Sequence, residues 1–179
     1  LGRAPDYHFL PVGNAGNISA YWMGYGEYAD SGLSDTKPRM IGCQAAGAAP
    51  FISGHPIEEP ETIATAIRIG NPQSWELAQA AVDESGGCFK SSSDNEILKS
   101  QKSLADRSGI FCEPASAVSV AALQADMTED RIPDGSLIVC TLTGHGLKDP
   151  NVAIQQSPEP SRLSDRPGEL KSFILDEIG

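Results

Sequence analysis

The residues best suited to chemistry sit in two polar turns. Pro11-Val12-Gly13-Asn14-Ala15-Gly16-Asn17-Ile18 lies between an apolar run and a segment of helical period. Glycine and asparagine tolerate left-handed backbone angles, so the turn can aim several amide N–H groups at one point. The helix after it adds its own unpaired N–H groups and the positive end of its dipole. Together these can hold a phosphate with no cationic side chain. The pattern is neither the GxGxxG of dinucleotide binding nor the GxxxxGK[ST] of a P-loop. Read alone, it is either an anion cradle or a tight strand-to-helix connection. The second turn, Thr141-Leu142-Thr143-Gly144-His145-Gly146-Leu147-Lys148-Asp149, follows another apolar run and carries hydroxyls able to bond a ligand ring. Thr143 serves equally well as a turn cap, His145 as a turn residue with no proton to move, and Lys148 with Asp149 as a solvated pair.

Other chemistry is thinner. Glu58, Glu59 and Glu61 lie between prolines and read as a solvated loop. His8, His55 and His145 are isolated, and no Cys/His set has metal-ligand spacing. A GxSxG nucleophile elbow does not occur. Glu113-Pro114-Ala115-Ser116-Ala117 could be catalytic in principle; its other reading is a helix start, with an acid at the positive helix end and Ser116 packed among small side chains.

Elements that position these turns follow from hydrophobic period. From residue 7 to about 142, short apolar runs alternate with helical segments, which predicts an α/β fold with a mainly parallel open sheet and flanking helices. Strands are expected at 7–12, at 39–44, briefly around Phe89, and at 136–142, the last as a central strand covered on both faces. Helices are expected from Ile18 to Ala29, from Pro72 to Ser85, from an N-cap at Asp94 to Arg107, and from Pro114 to Ala125, the last buried on most sides. Ligands in open sheets sit outside the carboxyl ends of strands, so the two polar turns should face one crevice. Residues 1–150 read as the α/β unit. Residues 151–179 read as an extended tail, with a short docking helix over 170–178.

Composition bounds the partners. Thirteen basic against 24 acidic residues in a chain of 179 give a net charge of −11. That balance excludes a nucleic-acid role and disfavours an anionic membrane surface, since both need clustered Lys and Arg. The longest uncharged stretch, 41–57, is too interrupted by Gly, Pro and polar residues to span a bilayer. Four cysteines with no CxxC pair read as buried thiols in a reducing compartment, with cytoplasm the default. The start, Leu1-Gly2-Arg3-Ala4-Pro5, reads as the middle of a longer chain.

Four runs together carry a resemblance: PVGNAGN at 11–17, RIGNPQSW at 68–75, GIFCEPASA at 109–117 and TLTGHGLKDP at 141–150. In this order and spacing they resemble threonine synthases, within the fold-type-II pyridoxal-phosphate enzymes that include tryptophan synthase β, cysteine synthase and the serine/threonine dehydratases. The similarity covers about residues 1–155. It implies the C-terminal part of the tryptophan synthase β-like architecture and pyridoxal 5'-phosphate as cofactor. Gly13, Asn14, Ala15, Gly16 and Asn17 are then expected to hold its phosphate, largely through main-chain amides, and Thr143 to place its hydroxyl against the pyridine nitrogen. A neutral hydroxyl does not keep that nitrogen protonated as a carboxylate would, so the ring is a weaker electron sink. RIGNPQSW and EPASA are treated as markers of packing and loop shape.

The implied reaction converts O-phospho-L-homoserine and water to L-threonine and phosphate, by a homodimer. The family's Schiff-base lysine lies in a motif well before the phosphate turn. No lysine here matches it, so the catalytic set of this chain is none and the lysine is expected upstream. The isolated chain is then expected to be inactive. Two other readings stand beside this one: part of a fold-type-II serine/threonine dehydratase, or a non-catalytic phosphate-binding module.

Overall fold

The computed structural model describes residues 3–157, 159–163 and 165–178. Four strands form one parallel sheet: β1 (Tyr7–Pro11), β2 (Arg39–Ala45), β3 (Cys88–Ser92) and β4 (Ile138–Cys140), in the order β3-β2-β1-β4. The chain steps from β1 to β2 to β3 in one direction and then returns to place β4 on the other side of β1. Strand order therefore reverses between β1 and β4, and a crevice opens beyond their carboxyl ends.

Alternation along the strands sorts side chains between two cores. Leu10 and Met40 point to helices α1 (Gly16–Asp30) and α3 (Trp75–Ser85), where they meet Ile18, Ala78 and Val82. Phe9 and Ile41 point to the opposite face, against α5 (Pro114–Thr128), which also packs on α4 (Asp94–Ser108). Helix α5 buries Ala115, Ser116, Ala117, Val118, Ser119, Ala121 and Ala122, so its uncharged, small-residue composition lets it lie close to the sheet. A single-turn α2 (Pro50–Ser53) brings Phe51 into a stack with Phe89 and Trp75.

Several expectations are corrected. Helix α3 begins at Trp75 and not at Pro72, because the Gln73 and Ser74 amides are bonded to Asn14. The N-cap of α4 is Ser93, in a reciprocal capping box with Glu96. Asp94 lies in the first turn, and its carboxylate accepts from Thr62 Oγ1 and the Ile63 amide. Strand β4 has three residues, all half-buried, and is paired only to β1 at the sheet edge. Its apolar run had suggested a strand covered on both faces. Where extended chain was expected, α6 (Pro150–Gln156) is helical. The terminal helix α7 spans Pro167–Ile178, and its Leu170, Ile174 and Leu175 are exposed.

Candidate functional site

The first polar turn leaves β1 at Pro11 and enters α1 at Gly16. Among the described residues, the main-chain amides from Gly13 to Ile18 have no acceptor within the protein. Six donors left open at a helix start are an arrangement suited to an anion. The turn needs one left-handed residue, and that residue is Ala15, at φ 67°, rather than either glycine or asparagine. The conformation costs an alanine about 1–2 kcal/mol. Its methyl is buried with Leu10, Val12 and Ile18, which recovers about 0.8 kcal/mol. Gly13 is required for approach: a Cβ there would lie 3.0 Å from Ala66 O and from Ile67 Cα. Gly16 differs, since a Cβ there would meet no protein atom within 4 Å.

The cradle is clamped by the RIGNPQSW segment. Asn14 Nδ2 donates to Gln73 Oε1 at 3.1 Å, the Gln73 amide donates to Asn14 Oδ1 at 2.8 Å, and the Ser74 amide reaches Asn14 O at 3.2 Å. Asn17 Nδ2 turns back to Pro11 O at 3.4 Å. The Asn14 side chain is thus committed to shaping the loop.

The second turn is held by the start of α5. Ser116 Oγ, fully buried, accepts from the amides of Thr143 at 2.9 Å and Gly144 at 2.8 Å, and lies 3.1 Å from Thr143 Oγ1. One turn along, the single Ser119 hydroxyl proton has Ser116 O at 2.9 Å and Thr141 O at 3.2 Å as acceptors in range. The segments 111–113 and 144–146 run antiparallel, with the Glu113 amide on Gly144 O and the Gly146 amide on Phe111 O. Gly144 lies directly on the Glu113 carboxylate, where a Cβ would come within 2.2 Å of Oε1. The GIFCEPASA and TLTGHGLKDP runs therefore form one structural unit.

Both turns line one cavity of about 330 Å³, together with Pro11, Ala66, Ile67, Glu113 and Lys148. Gly13, Asn14, Ala15, Gly16, Asn17 and Thr143 are all brought together there. Lys148 is the one cation in this lining; its Nζ lies 3.3 Å from Oε2 of the buried Glu113. It does not pair with Asp149, whose carboxylate accepts from Thr65 Oγ1 at 2.8 Å. His145 lies outside the lining: its Nδ1 accepts from the Leu147 amide and its ring meets the edge of Phe111. A larger cavity of about 400 Å³ runs along the outer face of α1 beside Tyr21, Tyr25 and Tyr28. Its lining is three tyrosines, Ala20 and Gly24, and it shares only Asn17 with the cradle, so the polar cavity is the candidate site. Sequence reasoning gave no site role to Gln73, and left Glu113 and Ser116 as catalytic only in principle. The one available signal was the i, i+3 pair Ser116/Ser119 in an otherwise apolar helix.

Elsewhere, titratable groups are tuned by burial. His8 lies under α1, with Nε2 2.6 Å from Thr141 Oγ1 and Nδ1 3.1 Å from Tyr25 OH; desolvation lowers it to about 4. The four cysteines are separate thiols. Burial pushes Cys140 up to about 12 and Cys43 well above the usual thiol range.

An open parallel sheet with an amide cradle at the reversal of strand order defines a phosphate-anchoring α/β protein. The model of the family "Pyridoxal-phosphate dependent enzyme" matches residues 1–144, and the chain belongs to that family. Its cofactor is pyridoxal phosphate. The chain is 54% identical over 167 residues to the threonine synthase of Synechocystis sp., covering 93% of this chain and 43% of that protein. It is 55% identical over 161 residues to the threonine synthase of Mycobacterium tuberculosis, covering 90% of this chain and 45% of that one. It therefore spans less than half the length of these curated relatives. The processed form of threonine deaminase isoform 2 from Solanum lycopersicum superposes with a TM-score of 0.64 at 19% identity, over 84% of this chain and 42% of that one, which shows the shared fold. The cavity fits the cofactor on its own geometry: open amides suit a phosphate, Gly16 leaves that side unobstructed, and a hydroxyl stands at the far turn. No helix among the described residues is long and apolar enough to cross a membrane.

Proposed function

We propose that this chain is the carboxyl-terminal portion of a threonine synthase, a lyase that converts O-phospho-L-homoserine and water to L-threonine and phosphate. The observation that carries the reading is the cavity in which the amide cradle and Thr143 converge, lined by three of the four sequence runs that resemble threonine synthases and braced by the fourth through Gln73. Gly13, Asn14, Ala15, Gly16 and Asn17 bind the cofactor phosphate through main-chain N–H groups, assisted by the α1 dipole. The phosphate is anchored by geometry, since the nearby Lys148 charge is already opposed by Glu113. Thr143 orients the ring through its nitrogen. Pyridoxal phosphate, when bound, supplies the electron sink for carbanion chemistry on an amino acid. The proton-transferring lysine belongs to the upstream part of the parent polypeptide, as do the groups that recognise substrate carboxylate and phosphate. Residues 1–150 form the working unit here and 151–179 an appendage. The parent acts in the cytoplasm, which suits four separate thiols, and as a homodimer, as the resemblance implies.

The test uses the full-length polypeptide. Supplied with pyridoxal phosphate and O-phospho-L-homoserine, it is expected to release threonine and phosphate in equal amounts, while the isolated 179 residues release none. Production of 2-oxobutanoate from threonine, without threonine formation from phosphohomoserine, would overturn the reading in favour of a dehydratase.

A further inference from the structure

We propose that Ser116 fixes the direction in which the Thr143 hydroxyl donates, and so holds a bound pyridine nitrogen in its unprotonated form. This rests on the reading above, in which Thr143 faces that nitrogen. A hydroxyl oxygen has two lone pairs and one proton. At Ser116 both lone pairs are taken by donors that cannot reverse, the Thr143 amide at 2.9 Å and the Gly144 amide at 2.8 Å. The Ser116 oxygen has no third site at which to accept. Its own proton has two acceptors in range, Thr143 Oγ1 at 3.1 Å and Gly144 O at 3.3 Å. Whichever it takes, Thr143 cannot donate to Ser116. Among the described residues, Thr143 Oγ1 has no other side-chain or main-chain partner. Its proton is left for an acceptor in the cavity that Thr143 lines.

A neutral pyridine nitrogen is such an acceptor. A pyridinium is a donor: it would have to bond a lone pair of Thr143 Oγ1, and the Thr143 proton would then be left without an acceptor among the described residues. A free threonine hydroxyl turns to suit either form, but here the nearer acceptor of the Ser116 proton is Thr143 Oγ1 at 3.1 Å, Gly144 O at 3.3 Å being already bonded by the Glu113 amide, so the bonds run one way, from two amides to Ser116, to Thr143, to the ring. Each acceptance makes the next hydroxyl a better donor. Ser116 is therefore a positioning residue: it is fully buried and acts only through Thr143. The unprotonated ring of the proposed enzyme is a property of the pair Ser116–Thr143, not of Thr143 alone.

The experiment reads the ring nitrogen directly. The full-length polypeptide is reconstituted with pyridoxal phosphate carrying ¹⁵N in the ring, and the nitrogen chemical shift is followed across neutral pH for the wild type, Ser116→Ala, Ser116→Cys and Thr143→Ala. The wild type is expected to keep a hydrogen-bonded, neutral-pyridine signal throughout. In Ser116→Ala the nitrogen should titrate, its pKa raised by about one unit or more, a tenfold gain in proton affinity. Ser116→Cys keeps a side chain of similar size with a weak donor and acceptor, so it should titrate likewise and carries the test if the alanine variant does not fold. A pyridinium signal in the wild type, or serine variants indistinguishable from it, overturns the proposal. A Thr143→Ala signal identical to wild type instead shows that Thr143 does not face the ring, so the parent reading fails first.

Discussion

The two glycines of the cradle should separate binding from folding. At Gly16 the backbone angle is open to any L-residue and a Cβ meets no protein atom within 4 Å, although the residue lines the polar cavity. Gly16→Ala should therefore leave the apo protein unharmed and even stabilise α1 by up to about 0.5–1 kcal/mol. The added methyl occupies space that a phosphate needs to reach the amides. Losing one or two charge-assisted bonds, at about 1.5–3 kcal/mol each, weakens cofactor binding by roughly tens- to hundreds-fold or more. Gly13→Ala behaves differently. Its Cβ would press on Ala66 O and Ile67 Cα at 3.0 Å, with Ile69 Cδ1 at 3.2 Å, an overpacking cost of about 1–3 kcal/mol borne by the apo protein. The assay pairs urea denaturation of apo full-length polypeptide with fluorescence titration by pyridoxal phosphate. If Gly16→Ala destabilises the apo protein by more than about 1 kcal/mol, or binds the cofactor as tightly as wild type, the placement of the phosphate over this helix start is wrong.

His8 gives the fold a pH dependence. Its pKa is lowered by burial from 6.5 to about 4, so the unfolded chain takes up a proton that the folded chain refuses. Stability is full above pH 6.5 and falls as pH drops towards 4, by about 3 kcal/mol in all. Asp6, lowered to about 2 beside Arg3, and Glu96, lowered by its bonds to Ser93, begin to add their losses below about pH 5, as the carboxyls of the unfolded chain take up protons. Denaturant midpoints of His8→Gln should be flat between pH 6.5 and about 5, above the carboxylate losses, and a slope equal to wild type there would remove His8 as the cause. At Asn14, an aspartate keeps the acceptor for the Gln73 main-chain amide and trades the Nδ2 donor for an acceptor that the exposed Gln73 side-chain amide can meet by flipping, but sets a negative charge beside the cradle. Asn14→Asp should change apo stability by less than about 1 kcal/mol and weaken pyridoxal phosphate binding at least about tenfold, with unchanged affinity counting against an anion site.

How much of this was legible in the sequence depends on where each signal resides. Hydrophobic period is a local property, and it located β1, β2, α1 and α5 within a few residues. Features set by a distant partner were misplaced. Pro72 is an acceptable helix start by itself, yet α3 waits until Trp75 because Asn14, 59 positions away from Gln73, holds that segment in a loop. Asp94 is an acceptable N-cap by itself, but Thr62 and Ile63 claim its carboxylate and leave the cap to Ser93. The continuous apolar run at β4 correctly marked a strand, but not its position at the edge beside β1, since one residue run cannot say on how many sides it is paired.

The site divides along the same line. That both polar turns would share a crevice followed from a topological rule about parallel sheets, and their residues do line one cavity. The reasons assigned to individual residues within the turns were less secure. The left-handed angle was expected on glycine or asparagine and falls on Ala15, because Gly13 is spent on letting the 66–67 segment approach and Asn14 on binding Gln73. Ser116 read as one more small residue in a buried helix. Its role depends on two amides and a hydroxyl that arrive from 27 and 28 positions downstream, a juxtaposition with no local signature. Composition reveals a buried polar residue only as an exception within an apolar run, and such exceptions, here Ser116 and Ser119, are where a buried hydrogen-bond network should be sought first, because a buried hydroxyl left unpaired is costly.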